Sequence, residues 1–191
     1  SSAASDVYKR QIVDQEQAYK MLFDIRSFPY FEGYVWNKLY LTSVIKEEKL
    51  QFDMTLKMCE DTLFNFHYLR CIQTVVLLNV CEYHYVIRDT SVMCVKPIEN
   101  DLKMVELIEN FLANAPSATI YNNILSWAFK YWIQVLDDYI LYGEGKQYQD
   151  TVIKKIRSNK SYILRSECFP KVEKIFTLCI CCLLYTSPSP R

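Results

Sequence analysis

Two adjacent carboxylates, Glu60-Asp61, open the run Glu60-Asp61-Thr62-Leu63-Phe64-Asn65, and the apolar residues Leu63, Phe64, Phe66 and Leu69 that follow fall at helical spacing. Acids in the first turn of a helix cap it and offset its dipole, an effect of about 0.5–2 kcal/mol. A helix N-terminus also favours the anion. A carboxylate within hydrogen-bond reach of a hydroxyl takes its proton as a new bond forms, typically contributing about 10² to 10⁴ in rate. Upstream, Trp36-Asn37-Lys38 lies in a stretch that reads as a strand, where alternation sends Trp36 and Lys38 to one face and Asn37 to the other. That arrangement fits a core tryptophan beside a solvated lysine about as well as it fits a site role. Downstream, Tyr83 to Arg88 reads as a second strand. His84 and Arg88 share a face but stand about 13 Å apart, too far to hold one phosphate. His84 and the mid-helix His67 read as structural histidines.

In this order, Trp36-Asn37-Lys38-Leu39-Tyr40, Leu50-Gln51-Phe52-Asp53, Glu60-Asp61 and Tyr83-His84-Tyr85-Val86-Ile87-Arg88 resemble the second half of the catalytic domain of inverting family 2 glycosyltransferases. These enzymes have the GT-A fold and move a sugar from a nucleotide diphosphate to a hydroxyl. The likeness covers about Gly33 to Ser91 by motif. It implies that Asp61 is the general base with Glu60 beside it, that Trp36, Asn37 and Lys38 line the acceptor groove, and that Arg88 offsets charge on the departing diphosphate. A single inverting displacement needs one such carboxylate, whereas double displacement would need a nucleophile as well. The resemblance further implies a nucleotide-sugar donor, a saccharide or lipid-linked acceptor, and a place in polysaccharide biosynthesis. Relatives hold a divalent metal, Mg²⁺ or Mn²⁺, through an Asp-x-Asp motif in their N-terminal half. No Asp-x-Asp occurs in this sequence, and Asp137-Asp138 is adjacent rather than spaced.

The elements needed to position these residues alternate before Lys96-Pro97 and turn helical after it. Asp14 to Ile25 reads as a helix, Tyr34 to Leu41 as a strand, Thr42 to Lys49 as a short helix capped by Thr42 or Ser43, Asp61 to Arg70 as a helix, and Thr74 to Leu78 and Cys81 to Arg88 as strands. Beyond Pro97, Leu102, Val105, Ile108, Phe111 and Leu112 form one apolar stripe ended by Pro116. A longer stripe from Ile120 to Ile140 stops at Gly143, a residue favoured at helix C-caps. Shorter helices are expected over Gln149 to Arg157 and Lys171 to Cys181. The expected fold class is α/β: a truncated GT-A half-domain over residues 12–96, then an α-helical tail over 97–181 that docks on the sheet. The rival reading is a non-catalytic α-helical interaction module, although no repeat of fixed period supports a solenoid.

Both ends resemble translated sequencing adapter. SSAASDVYKRQ (1–11) and CLLYTSPSPR (182–191) are what the two strands of one transposase adapter would encode, and such stretches are set aside before fold reasoning. Residues 12–181 are then expected to be a piece open at both ends, inactive without the donor-binding half. The chain carries 22 basic and 22 acidic residues, and setting aside Lys9, Arg10, Arg191 and Asp6 leaves a net charge of −2. No basic stripe points to nucleic acid. With 51% hydrophobic residues and three glycines, the composition is that of a packed domain. The seven cysteines within residues 12–181 show no paired Cys-x-x-Cys spacing and no nearby histidine cluster, as expected of reduced thiols. Localisation is therefore expected to be cytoplasmic, either free or peripherally associated with the inner face of the membrane. The apolar run from Ile175 to Leu184 is shorter than the roughly 20 residues a spanning helix needs.

Overall fold

The computed structural model describes residues 10–24, 31–56, 58–78, 83–84, 86, 99–142, 146–167 and 169–183. In chain order these form β1 (Arg10–Asp14), α1 (Gln15–Phe23), α2 (Thr42–Glu47), α3 (Glu60–Arg70), β2 (Thr74–Leu78), α4 (Glu99–Ala113), α5 (Ala118–Tyr142), α6 (Lys146–Ser158), α7 (Lys160–Arg165) and α8 (Lys171–Leu183). The chain is mixed α and β, dominated by helix, and the described strands make one two-stranded sheet. Two compact units divide between Trp127 and Ala128, well beyond the compositional break at Lys96-Pro97.

In the first unit β1 and β2 pair antiparallel with Ile12 opposite Val76 and Val13 opposite Val75. Arg10 and Gln11, which belong to the adapter-like stretch, extend this ladder opposite Leu78 and Leu77. Asp14 ends β1 and begins α1, its carboxylate accepting the backbone N–H of Gln17 at 2.8 Å. This satisfies one of the amides that a helix start leaves unpaired. Gln15 at the first turn of α1 donates to the carbonyls of Leu69 and Ile72, so α1 also closes the C-terminal end of α3. Between the two helices lies an aromatic cluster. Phe66 meets Tyr19, Phe23 and Phe111, and Phe23 meets Phe111 and Trp127, with ring centroids 4.8–6.1 Å apart and mostly edge-to-face. The Tyr19 hydroxyl donates to the Phe66 carbonyl at 2.9 Å, and burial raises its pKa well above the ordinary phenol value. The first helices of the predicted tail thus pack on α1 and α3 through Phe111 and Trp127, where the expectation was the sheet.

Several expectations are corrected here. Tyr34 to Leu41 forms turns and irregular backbone rather than a strand. Leu41 occupies the N-cap of α2 without a side-chain cap, so neither Thr42 nor Ser43 fills that role. Within the predicted strand Cys81 to Arg88, Tyr83, His84 and Val86 are not in a strand, and the remaining positions, Arg88 included, lie outside the described residues. In contrast, both long apolar stripes after Pro97 form helices. The two shorter ones lengthen to α6 and α8, and α7 joins them without a clear periodic signal.

The second unit packs α6, α7 and α8 together with the later turns of α5. Phe169 bridges edge-to-face between Phe129 and Tyr162. Trp132, Val152, Ile156 and Ile163 are buried with it. Thr177 on α8 is fully buried, and its hydroxyl donates one turn back to the Glu173 carbonyl at 2.9 Å.

Candidate functional site

Helix α3 begins after Cys59, which holds a left-handed backbone (φ 60°) and offers no side-chain cap. Glu60 and Asp61 therefore fill the first turn. Asp61 meets the helix terminus by accepting the N–H of Thr62 at 2.7 Å. The carboxyl is half-buried. Burial pushes its pKa above the usual carboxylate value, and the Glu60 charge adds to this. The Thr62 amide and hydroxyl and the Lys38 ammonium oppose the rise.

The segment from Phe31 to Leu41 crosses this end of α3, and its backbone groups are paired with side chains rather than with a neighbouring strand. Lys38 Nζ donates to the carbonyls of Phe31, Glu32 and Tyr34 and to Asn37 Oδ1, at 2.5–2.9 Å. It also stands 4.7 Å from the Phe31 ring centroid. Burial lowers the Lys38 pKa to about 8, while Asp61 and Glu32 hold it up. At neutral pH it remains an ammonium, the form that four acceptors around one nitrogen require. Asn65, buried on α3, donates to the carbonyls of Gly33 and Asp61 and accepts the Tyr40 hydroxyl at 2.8 Å. The Tyr68 hydroxyl accepts the Leu41 N–H at 2.9 Å. Gly33 presses against α3 so closely that a Cβ there would overlap Thr62 Oγ1 and lie 2.8 Å from Thr62 Cβ. Glu32, beside it, is a second non-glycine residue at positive φ bordering the site.

The structure thus brings Lys38, Glu60 and Asp61 into one electrostatic neighbourhood, with Asn37 at 2.8 Å from the Lys38 ammonium. Trp36 stacks on Tyr34 of the same segment at 5.1 Å and on Tyr83, which follows β2, at 4.7 Å, a row of partly exposed rings. Lys38 ties its own loop together, a structural duty the sequence did not suggest. Arg88 lies outside the described residues. The sequence reading assigned no role to Asn65 and Tyr40, which position the Asp61 end of α3. The available signal was an asparagine in the middle of an aromatic-rich helix, where a polar side chain needs partners. His67 is half-buried on α3 with its pKa lowered by burial and by Arg70, as fits a structural histidine. Among the described residues no group of three or more His, Cys, Asp or Glu converges on a point. None of the described residues therefore forms a ligand set for the divalent metal that the resemblance places in the donor-binding half.

Lys38→Met should loosen this loop, because three carbonyls lose their donor and the methionine cannot replace it. The expected cost is about 1–3 kcal/mol, with faster amide exchange confined to residues 31–41. Hydrogen exchange read by mass spectrometry checks both magnitude and location.

Compared with protein-family models, curated proteins and solved structures, the chain matches none.

Proposed function

We propose that this chain is the acceptor-side part of an inverting glycosyltransferase of the GT-A fold. Asp61 serves as general base for transfer from a nucleotide-sugar to a saccharide or lipid-linked acceptor. The observation that carries the reading is the state of Asp61. It is a half-buried carboxylate at a helix start, made more basic by burial and set beside the Lys38 cation and the Tyr40–Asn65 pair. In the reaction the carboxylate removes the acceptor hydroxyl proton, and the oxygen attacks the anomeric carbon opposite the diphosphate. The diphosphate leaves with the bonding electron pair, and the centre inverts. A base is most effective when its pKa approaches the working pH, so burial raises the driving force for proton removal. Lys38 fixes the loop facing the carboxylate. Trp36 is itself stacked on Tyr34 and Tyr83, so it is the partly exposed outer surface of this row, rather than a free indole face, that is left for a sugar ring. Arg88 is assigned to the diphosphate by the resemblance, and Glu60 to the acceptor side.

A pH–rate profile tests the reading in the enzyme that carries this segment. kcat/KM should rise with pH through one ionisation above the ordinary carboxylate range, and Asp61→Asn should abolish that limb. A limb that survives the substitution assigns the base elsewhere.

A further inference from the structure

Helix α8 has two apolar sides, and its own unit uses one of them. Thr177 and Ile180 are buried where α8 packs on α6 and α7. On the other side Val172, Ile175 and Leu178 are 76%, 59% and 42% exposed, and Cys179 is exposed beside them. At 3.6 residues per turn Val172, Ile175 and Cys179 fall on one side of the helix, with Leu178 continuing it. Lys171 projects on that side between Ile175 and Leu178, and Lys174 flanks it. Glu173, the helix's one acid, lies on the opposite side. The charge extends beyond the helix. From residue 150 to 183 seven lysines and arginines stand against three acids, in a chain whose totals balance at 22 and 22.

We propose that α8 lies flat on an anionic lipid surface, its exposed apolar side sunk among the headgroups and its lysines on lipid phosphates. An apolar stripe edged by lysines without acids is the pattern that binds in the plane of a membrane interface. The helix spans about 20 Å, and among the described residues no helix is long and apolar enough to cross a bilayer. The favoured occupant is lipid rather than a second copy of the chain. A self-complementary contact would bring lysines to a surface holding no acid to pair with them, whereas anionic headgroups supply that charge. The proposal is independent of the chemistry assigned to Asp61.

Flotation of the full chain with vesicles provides the test. It should float with phosphatidylcholine vesicles containing phosphatidylserine, float far less with phosphatidylcholine alone, and lose binding as salt is raised. Ile175→Asp should reduce partitioning at least about tenfold, with an unchanged circular dichroism spectrum, since the side chain is exposed. Val172→Asp, at a still more exposed position, gives a second variant with the same expected loss. Lys171→Gln and Lys174→Gln should each weaken binding about fivefold. Failure to float with phosphatidylserine vesicles overturns the proposal, as does equal flotation of both aspartate variants. A concentration-dependent dimer that Ile175→Asp dissolves, with no vesicle binding, would assign the surface to a second copy instead.

Discussion

In the enzyme proposed to carry this segment, Asp61→Asn should lower the turnover of glycosyl transfer at least about 10²-fold while leaving nucleotide-sugar affinity nearly unchanged. The substitution keeps the shape and removes the charge. An asparagine oxygen can still accept the Thr62 N–H that Asp61 accepts at 2.7 Å, so the start of α3 keeps its pairing. What is lost is the capacity to take a proton. A loss under tenfold, measured by single-turnover transfer to acceptor, would remove Asp61 from the role of base. Stability supplies an independent readout with a definite sign. Because burial raises the folded pKa of Asp61 above the ordinary carboxylate value, the folded state holds the proton more tightly than the unfolded state. Its contribution to stability is then greatest at low pH, and it falls as pH rises from the unfolded value through the folded one. Asparagine has no such dependence. Urea unfolding across that window should therefore show Asp61→Asn gaining on the wild type as pH rises, and a variant that instead loses ground to the wild type as pH rises would contradict the assigned burial.

The part of this site that could be read in advance was the helix, and the part that could not was the loop across it. Apolar spacing places Leu63, Phe64, Phe66 and Leu69 on α3 from sequence alone, and with them Glu60 and Asp61 in its first turn. Tyr34 to Leu41 has the aromatic and β-branched content of a strand, and by local propensity it should be one. It is not, because the partners of its backbone come from distant side chains. Asn65 takes the Gly33 carbonyl, Tyr68 takes the Leu41 N–H, and Lys38 reaches back to three carbonyls of its own loop. No periodicity records such contacts. The electrostatic meeting of Lys38 with Asp61 depends on them and was equally hidden, since the two residues were expected on separate elements.

At the level of fold, helices with a sustained apolar stripe were legible and short or pair-dependent elements were not. The α5 stripe runs long enough to exclude a strand. The six-residue α7 is too short to show a period. Strand β1 exists through its pairing with β2, and its first two residues sit in a stretch the sequence gives reason to discard. The break at Pro97 marks a change of texture, yet packing continues through it, because Phe111 and Trp127 complete a cluster begun by Tyr19, Phe23 and Phe66.

That cluster is the place where a single truncation should cost most. Phe66→Ala is expected to destabilise the first unit by about 3–5 kcal/mol, the range for removing a large buried aromatic side chain. Phe66 is fully buried, and its ring touches three others, from α1 and α4, at 4.8–6.1 Å. Those neighbours are themselves held by one another, Phe23 by Phe111 and Trp127, so they cannot easily collapse into the space left behind. Tyr19 is further constrained by its bond to the Phe66 carbonyl, which the substitution leaves in place. A cavity that stays open is the costly outcome. Phe52→Ala provides the contrast, because Phe52 stacks on Phe64 at 4.6 Å but is 42% exposed. Its loss should cost about 1 kcal/mol or less. Chemical denaturation of both variants beside the wild type decides the matter. Similar losses would mean that the four helices do not share one core at Phe66, while a difference of a few kcal/mol would place the stability of the Asp61-bearing helix in its inward face.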